Sequence, residues 1–337
     1  MNTDPISIPD INDIKAAAKR LEGKIIHTPL LRSDALDALT GAQVFVKAEC
    51  LQTTGSFKLR GASNALALLT DEQRAGGVVA CSSGNHAQGV AEAARRLGIS
   101  ATIVMPSDSP AMKIARTKRN GATVVLYDRA TQDRDEIANE IAEREHRTFV
   151  HPFNNPNVIA GQGTSGLEIV GDLQAMGLSA TRIMTPTGGG GLTSGLSISI
   201  HDAFPEAKIH TVEPQGFDDF KRSLEAGEIL SNDALTGSIC DAVMTLEPGT
   251  ITFEVVRQHC SEGLVVSDAS VCEAVRFAFE EFKLVVEPGA AAALAALLDA
   301  GQKYQGEVIV VMISGGNADP ELFSKILTGE LNGSNGL

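Results

Sequence analysis

Short apolar segments rich in β-branched residues alternate along the chain with longer alanine-rich segments. The apolar segments predict β-strands at residues 44–47, 77–80, 102–105, 123–126, 182–185, 208–212 and 307–313. Helical patterns stand between several of them, for example at 88–97, 111–120 and 192–201. Because strands that alternate with helices favour parallel βαβ units, the pattern predicts an α/β fold with mostly parallel sheets flanked by helices.

Charge and aromatic content exclude two classes of partner. The 337 residues carry a formal net charge of −14, include no tryptophan and are only 4% aromatic. Such a chain offers neither a basic face for phosphate backbones nor an aromatic platform for bases, so we expect no nucleic-acid partner. The same charge repels anionic membrane surfaces, and no apolar run is long enough to span a bilayer. We therefore expect no membrane partner and a small molecule as the ligand.

Cysteine usage and the N-terminus indicate the compartment. The 5 cysteines are widely spaced and form no CxxC pair, which favours reduced thiols over disulfides or a zinc site. Residues 1–13 carry acids and prolines where a signal peptide needs a basic patch and an apolar run. Both observations predict a cytoplasmic protein.

Four consecutive glycines follow the predicted strand 182–185 and precede a helical pattern: Gly188, Gly189, Gly190 and Gly191. A loop without side chains at a helix N-terminus exposes several backbone N–H groups, so it predicts an anion site, most naturally for a phosphate. The alternative is an ordinary tight turn. A dinucleotide site is disfavoured because Thr193 or Ser194 stands where the fingerprint expects glycine or alanine.

A lysine stands near a predicted helix start in the segment 56–62, Ser-Phe-Lys-Leu-Arg-Gly-Ala. Ser56 is the predicted N-cap, and Lys58 then lies in the first turn, where the helix dipole should lower the lysine pKa. A neutral lysine is the nucleophile that forms Schiff bases; the alternative is an ordinary surface lysine. A Schiff-base lysine together with a phosphate cradle suggests pyridoxal phosphate.

The segment 81–86 lies between the predicted strand 77–80 and a helix. Its amides and hydroxyls form a second anion cradle, suited to a carboxylate, with Ser82, Ser83 and Asn85 as candidate contacts. For Ser83 the alternative is simple helix capping.

Several motifs, in chain order, resemble those of the serine/threonine dehydratase and serine racemase family of fold type II pyridoxal-phosphate enzymes. They are SFKLRGA at 56–62, SSGNHAQG at 82–89, HPF at 151–153, IAGQGT at 159–164, the glycine loop, and SGGN at 314–317. The resemblance implies a tryptophan synthase β-like architecture of two domains, each with a central, mostly parallel sheet. Residues 1–72 and 155–337 would form the large cofactor-binding domain, and residues 73–154 a small domain that closes over the substrate. It also implies a homodimer.

The same resemblance implies roles for particular residues. Lys58 would carry the cofactor, and further cofactor contacts would come from Phe57, Asn85, Gly188, Gly189, Gly190, Gly191, Leu192 and Ser314. Among these, Asn85 would bind the phenolic oxygen, the glycine loop the phosphate, and Ser314 the pyridine nitrogen. The substrate contacts would be Ser82, Ser83, Gly84, Asn85 and His86.

A reaction follows from these roles. Lys58 would remove the α-proton, and Ser83 would be the acid/base on the opposite face. The implied activity is α,β-elimination from a β-hydroxy amino acid such as serine, threonine or 3-hydroxyaspartate, giving a 2-oxo acid and ammonia. The alternatives are a serine racemase with dehydratase side activity, and a dedicated dehydratase of hydroxyectoine breakdown.

An acidic turn at 213–219 suggests a divalent cation. By itself such a turn is usually only solvated. In racemase-like members of the family, however, the matching positions bind a metal, which implies Mg²⁺ or Ca²⁺ at Glu213, Phe217 and Asp219.

Substrate side-chain selectivity stays open at this stage. Ala242 and Met244 depart from the family pattern and could narrow the pocket. Arg134 lies near where some relatives place an arginine for a second carboxylate; the alternative is a solvated helix charge.

Overall fold

The computed structural model describes residues 7–82, 84–109, 111–128, 131–234 and 236–332. Its strands are β1 (Leu30–Leu31), β2 (Gln43–Ala48), β3 (Val78–Cys81), β4 (Ala101–Pro106), β5 (Thr123–Tyr127), β6 (Thr148–Phe149), β7 (Arg182–Pro186), β8 (Lys208–Pro214), β9 (Cys260–Val266) and β10 (Val308–Ile313).

The helices surround these strands and connect most of them. They are α1 (Ile11–Leu21), α2 (Asp34–Thr40), α3 (Lys58–Ala67), α4 (Asp71–Gly76), α5 (Asn85–Leu97), α6 (Ala111–Arg119), α7 (Arg134–Glu145), α8 (Pro156–Ala175), α9 (Gly191–Ala203), α10 (Asp219–Ala226), α11 (Thr250–His259), α12 (Asp268–Phe282), α13 (Pro288–Ala300) and α14 (Pro320–Thr328). Short 3₁₀ turns lie at Glu49–Leu51 and Gly301–Tyr304. No helix in the part of the chain that the structure describes is both long and apolar enough to cross a membrane.

The strands form two sheets. Within the described residues, the larger has the order β1-β2-β10-β7-β8-β9 and the smaller the order β5-β4-β3-β6. Strand pairs are parallel except β1 with β2, as helical crossovers between successive strands require. The prediction of an α/β fold with mostly parallel, helix-flanked sheets is confirmed.

Strand β10 shows how the core is layered. Val310 and Met312 belong to one apolar cluster, and Ile309, Val311 and Ile313 belong to another. Successive side chains of a strand point to opposite faces, so a continuous apolar strand supplies both layers. The larger sheet is therefore covered by helices on both faces.

The seven strands predicted from apolar segments are all present, with ends shifted by one or two residues. The sequence does not predict strand β9, because that strand begins with polar residues and follows α11 without any turn signal. Its pairing with β8 makes it a strand. β1 and β6 have two residues each, too few to show an alternation.

The prediction that Ser56 caps α3 is wrong. The helix begins at Lys58 with Phe57 at the N-cap, and no side chain caps it. Ser56 instead forms an antiparallel bridge with Gly315. This bridge fixes the backbone of Ser56 beside the end of β10, one residue too early for a cap.

Candidate active site

A cavity lies at the carboxyl ends of β3, β7 and β10, where the following loops supply its walls. Three helices begin with residues that line it: α3 with Lys58, α5 with Asn85 and α9 with Gly191. A helix N-terminus carries partial positive charge and unpaired N–H groups. The cavity is thus suited to anions, and backbone groups supply much of that character.

The Lys58 amine is partly buried in this cavity. Its Nζ donates a hydrogen bond to the carbonyl of Pro152 at 3.0 Å and lies 5.2 Å from the centre of the Phe57 ring. Burial lowers the pKa of Lys58 to about 8, against the opposing effect of the Glu287 carboxylate. The predicted direction of the shift is confirmed, and burial lowers the Lys58 pKa.

Arg60 anchors the helix that carries Lys58. Its guanidinium is fully buried and binds Glu49 at 2.7 Å and Glu168 at 2.7 Å. Lys47 donates to the same Glu168 at 2.6 Å. These bonds tie α3 to β2 and α8, because a buried charge must keep its partners. Arg60 therefore supports the fold behind the cavity and does not line it.

The glycine loop forms another part of the cavity wall. Gly190 has φ +88°, a left-handed conformation that favours glycine. A Cβ atom on Gly189 would lie 2.4 Å from the Phe153 ring, and one on Gly190 would lie 2.4 Å from the Phe220 ring. The neighbouring rings therefore hold the loop tightly, which leaves its backbone as the surface offered to a ligand.

The segment between β3 and α5 lies in the cavity wall, as expected. Ser82, Gly84, Asn85 and His86 all line the cavity, whereas Ser83 lies outside the described residues. The Ser82 hydroxyl accepts a hydrogen bond from the Gly84 amide at 3.1 Å. Lys113 Nζ lies 3.9 Å from the position a Gly84 Cβ would take, so this cradle has a cation beside it.

His86 is a neutral ring. Burial lowers its pKa to about 3, and its Nε2 lies 2.9 Å from the carbonyl of Val150. The neutral ring therefore donates its proton from Nε2 to that carbonyl, which orients the imidazole and ties α5 to the strand-end segment at residue 150.

Ser314 and Phe57 are adjacent in the cavity lining. The Phe57 amide donates to the Ser314 carbonyl at 3.1 Å, and both residues line the cavity. The end of β10 therefore sets where α3, and with it Lys58, enters the site.

The predicted metal ligands lie outside the cavity lining. Glu213 is the penultimate residue of β8 and accepts hydrogen bonds from the amides of Phe220 and Lys221 at 2.8 and 2.9 Å. Asp219 accepts from Asn232 at 2.7 Å through Oδ1, while its buried Oδ2 has no hydrogen-bond partner among the described residues. Phe217 lies in the turn between the two acids.

The electrostatics of this acidic pair favour a cation. Burial, followed by repulsion from Asp219, raises the pKa of Glu213 well above its usual value. Burial also raises the pKa of Asp219 to about 7. Two buried acids with one unsatisfied oxygen fit an oxygen-liganded divalent cation.

Sequence reasoning missed charged residues that line the cavity. Glu287, at the start of α13, accepts a hydrogen bond from Asn85 at 2.7 Å. Lys113 of α6 binds Asp241 at 2.9 Å. In the sequence no motif surrounds Glu287 or Lys113; only the folded chain brings them to the cavity.

Residues 21–315 match the family described as pyridoxal-phosphate dependent enzyme. The chain belongs to this family. The resemblance inferred from the motifs is confirmed, as is the fold type II class. The cavity also fits pyridoxal phosphate: a lysine of lowered pKa, a glycine loop at a helix N-terminus and the Ser314 hydroxyl surround one space.

Individual relatives cover almost the whole chain. The chain is 43% identical over 327 residues to L-threo-3-hydroxyaspartate ammonia-lyase of Pseudomonas sp, covering 96% of this pyridoxal-phosphate enzyme and 100% of the relative. It is 37% identical over 329 residues to serine racemase of Schizosaccharomyces pombe, covering 97% and 99%. The crystal structure of a threonine deaminase from T.th. superposes with a TM-score of 0.87 at 42% identity, covering 92% and 99%.

Proposed function

We propose that the protein is a pyridoxal-phosphate dependent ammonia-lyase that converts a β-hydroxy amino acid into a 2-oxo acid and ammonia. The observation that carries this proposal is the meeting of Lys58, the glycine loop and the N-terminus of α5 around one cavity. The first supplies an amine of lowered pKa, and the other two supply anion-binding backbone groups. A phosphorylated aldehyde cofactor needs the amine and a phosphate site, and an amino-acid substrate needs a site for its carboxylate.

Particular residues would hold the cofactor. The Lys58 amine would bind its aldehyde carbon, and the phosphate would lie against Gly188, Gly189, Gly190, Gly191 and the Leu192 amide. Ser314 would meet the pyridine nitrogen, Asn85 the phenolic oxygen, and Phe57 would pack beside the ring. When bound, pyridoxal phosphate withdraws electrons from the α-carbon of an attached amino acid.

The protein would orient the substrate and move its proton. The substrate carboxylate would bind the N-terminus of α5 at Ser82, Ser83, Gly84 and Asn85, with neutral His86 fixing the first turn of that helix. The neutral Lys58 amine would take the α-proton at Nζ, because a pKa near 8 leaves an appreciable neutral fraction at physiological pH. Ser83 would serve as acid/base on the opposite face.

Two observations favour a dicarboxylic substrate such as 3-hydroxyaspartate. Arg134, the first residue of α7, lines the cavity, and a guanidinium suits bidentate binding of a carboxylate. Ala242 and Met244 line the same cavity and would limit the size of the side chain admitted. The Pseudomonas relative is also named for that substrate.

The remaining features concern the whole protein. We propose that residues 73–154 form a small domain that closes on residues 1–72 and 155–337; the smaller sheet lies wholly within that segment. Mg²⁺ or Ca²⁺ would bind Glu213, Phe217 and Asp219. A cytoplasmic homodimer is proposed as the working form; all 5 cysteines lie in described residues and have free thiols.

A substrate panel tests the proposed activity. The purified protein, loaded with pyridoxal phosphate, is assayed for 2-oxo acid with serine, threonine and 3-hydroxyaspartate stereoisomers. We expect turnover that Lys58→Ala abolishes together with the absorbance of the lysine-bound cofactor, while Lys19→Ala, at an exposed position of α1, keeps both. The proposal fails if no hydroxy amino acid yields a 2-oxo acid.

Racemisation is a second candidate, favoured by the 37% identity to a serine racemase. Chiral analysis of recovered serine separates the activities. Inverted serine that accumulates faster than 2-oxo acid would make racemisation the main activity.

A further inference from the structure

Glu287 occupies an N-cap position without serving as a cap. It precedes Pro288 at the start of α13, yet its side chain accepts no hydrogen bond from the first turn of that helix. Its Oε1 accepts a hydrogen bond from Nδ2 of Asn85 at 2.7 Å. Glu287 is 3% exposed and lines the active-site cavity. A carboxylate buried there must have a partner, and that partner is Asn85.

Gly315, in a neighbouring segment of the same chain, leaves space for this carboxylate. A Cβ atom on Gly315 would lie 2.0 Å from Oε1 of Glu287, so any other residue at position 315 would displace the carboxylate. The Glu287 amide also donates to the Gly315 carbonyl at 3.2 Å. Gly315, which has no side chain, therefore allows the Glu287 carboxylate to lie in the cavity wall.

Asn317 completes the orientation of Asn85. Its Nδ2 donates to Oδ1 of Asn85 at 2.8 Å and to the Thr54 carbonyl at 2.9 Å. Oδ1 of Asn85 is then an acceptor and Nδ2 a donor to Glu287, so the carboxamide cannot be turned over without losing both bonds. One N–H of Asn85 is used by Glu287, which leaves the second as a donor for a ligand.

We propose that Glu287 is a positioning residue: with Asn317 it locks the Asn85 carboxamide as a donor toward the cofactor. The inference rests on the proposed function. It adds to that function a group that controls the orientation of a cofactor contact.

The charges around Glu287 bear on its protonation. Burial, then the Asp241 carboxylate, raises the pKa of Glu287 to about 7, while Asn85 and Lys113 oppose this rise. The Glu287 charge in turn raises the pKa of Lys58 and contributes to that of Cys50. Deprotonated Glu287 therefore favours the charged form of Lys58, and its removal should let Lys58 become neutral at lower pH.

Cofactor uptake by the full chain measures this effect without turnover. The cofactor is removed from the wild type and from Glu287→Gln, and pyridoxal phosphate binding is followed by absorbance across a pH series. For Glu287→Gln we expect a Kd raised about tenfold, as for a lost bond to a charged group. The pH midpoint of the binding rate should fall by about one pH unit.

Two further variants separate charge from shape. Glu287→Asp keeps the charge and should keep the pH midpoint near that of the wild type while its Kd still rises. Glu92→Gln removes a buried carboxylate two turns further along α5, where it binds Arg95 and Arg96; its Kd and midpoint should equal those of the wild type.

The outcomes are distinct. If Glu287→Gln folds and its Kd and pH midpoint equal those of the wild type, the inference is wrong. If the wild type itself takes up no pyridoxal phosphate, the proposed function is wrong. If Glu287→Gln does not fold, Asn85→Ala is tested in its place. Loss of the Asn85 donor raises the pKa of Glu287, which then carries less negative charge beside Lys58. The Kd for pyridoxal phosphate should rise, and the pH midpoint of binding should fall. An unchanged Kd and midpoint in Asn85→Ala would equally refute the inference.

Discussion

At the residue scale, the active-site cavity uses few charged side chains, and each has a defined neighbour. Lys113 binds Asp241, Glu287 binds Asn85, and Arg134 contacts Asp135 at 3.8 Å. Burial lowers the Lys113 pKa, but the adjacent Asp241 outweighs it and the net pKa is raised, which keeps that lysine charged. Arg134 is the least constrained of these cations, with 48% of its side chain exposed.

Arg134 therefore provides a residue-scale prediction. Arg134→Ala should lower kcat/KM for 3-hydroxyaspartate by about tenfold or more, the cost of a lost charge-assisted hydrogen bond, with little change for serine. Steady-state assays with both substrates measure the difference. Arg144→Ala, on the exposed far end of α7 and paired with Glu145, is the control. Equal losses for serine and 3-hydroxyaspartate would remove Arg134 from substrate selection.

At the element scale, the loop between β7 and α9 owes its path to close packing. The Phe153 and Phe220 rings approach the backbone of Gly189 and Gly190 so closely that neither position has room for a methyl group. Because Gly190 also has φ +88°, the loop can take this path only with glycine there.

Gly190→Ala should therefore destabilise the protein by about 1–3 kcal/mol through backbone strain and overpacking, and weaken pyridoxal phosphate binding. Gly171→Ala is the matched control: Gly171 lies inside α8 with nothing within 4 Å of its would-be Cβ, and alanine there should stabilise the helix by roughly 0.5–1 kcal/mol. Urea unfolding curves compare the two. A Gly190→Ala protein as stable as the wild type would contradict the strain argument.

At the scale of the whole molecule, buried charged side chains form two different arrangements outside the cavity lining. Arg60, Lys47, Glu49 and Glu168 form a network in which opposite charges meet. Glu213 and Asp219 are two buried acids close enough for their charges to repel. Oδ2 of Asp219 has no hydrogen-bond partner among the described residues. The first arrangement is complete in itself, and the second is the one to which the proposed cation would add the missing partner.

Metal removal tests the second arrangement. A chelator should lower the Tm, and added Mg²⁺ should restore it, since a ligand present at a hundred times its Kd contributes about 2.7 kcal/mol. Asp219→Asn should make the Tm insensitive to both, whereas Asp218→Asn, at the neighbouring residue that pairs with Arg222, should keep the response. A wild-type Tm unmoved by chelator and by Mg²⁺ or Ca²⁺ would count against a metal site.

The sequence by itself determined most strands of both sheets, the glycine loop, Lys58 and the family, because periodicity, turn chemistry and motifs are local properties of the chain. It could not predict that burial lowers the Lys58 pKa, or that Ser56 bridges Gly315 instead of capping α3.

Only the tertiary structure decided which charges share the cavity. Glu287 and Asn85 are 202 residues apart and meet at 2.7 Å, and Lys113 meets Asp241 across 128 residues. No local pattern encodes such pairs. Asn85 and Lys113 follow β3 and β4, whose carboxyl ends lie at the same edge of their parallel sheet. Glu287 and Asp241 stand between helices, and only tertiary packing brings them to the cavity.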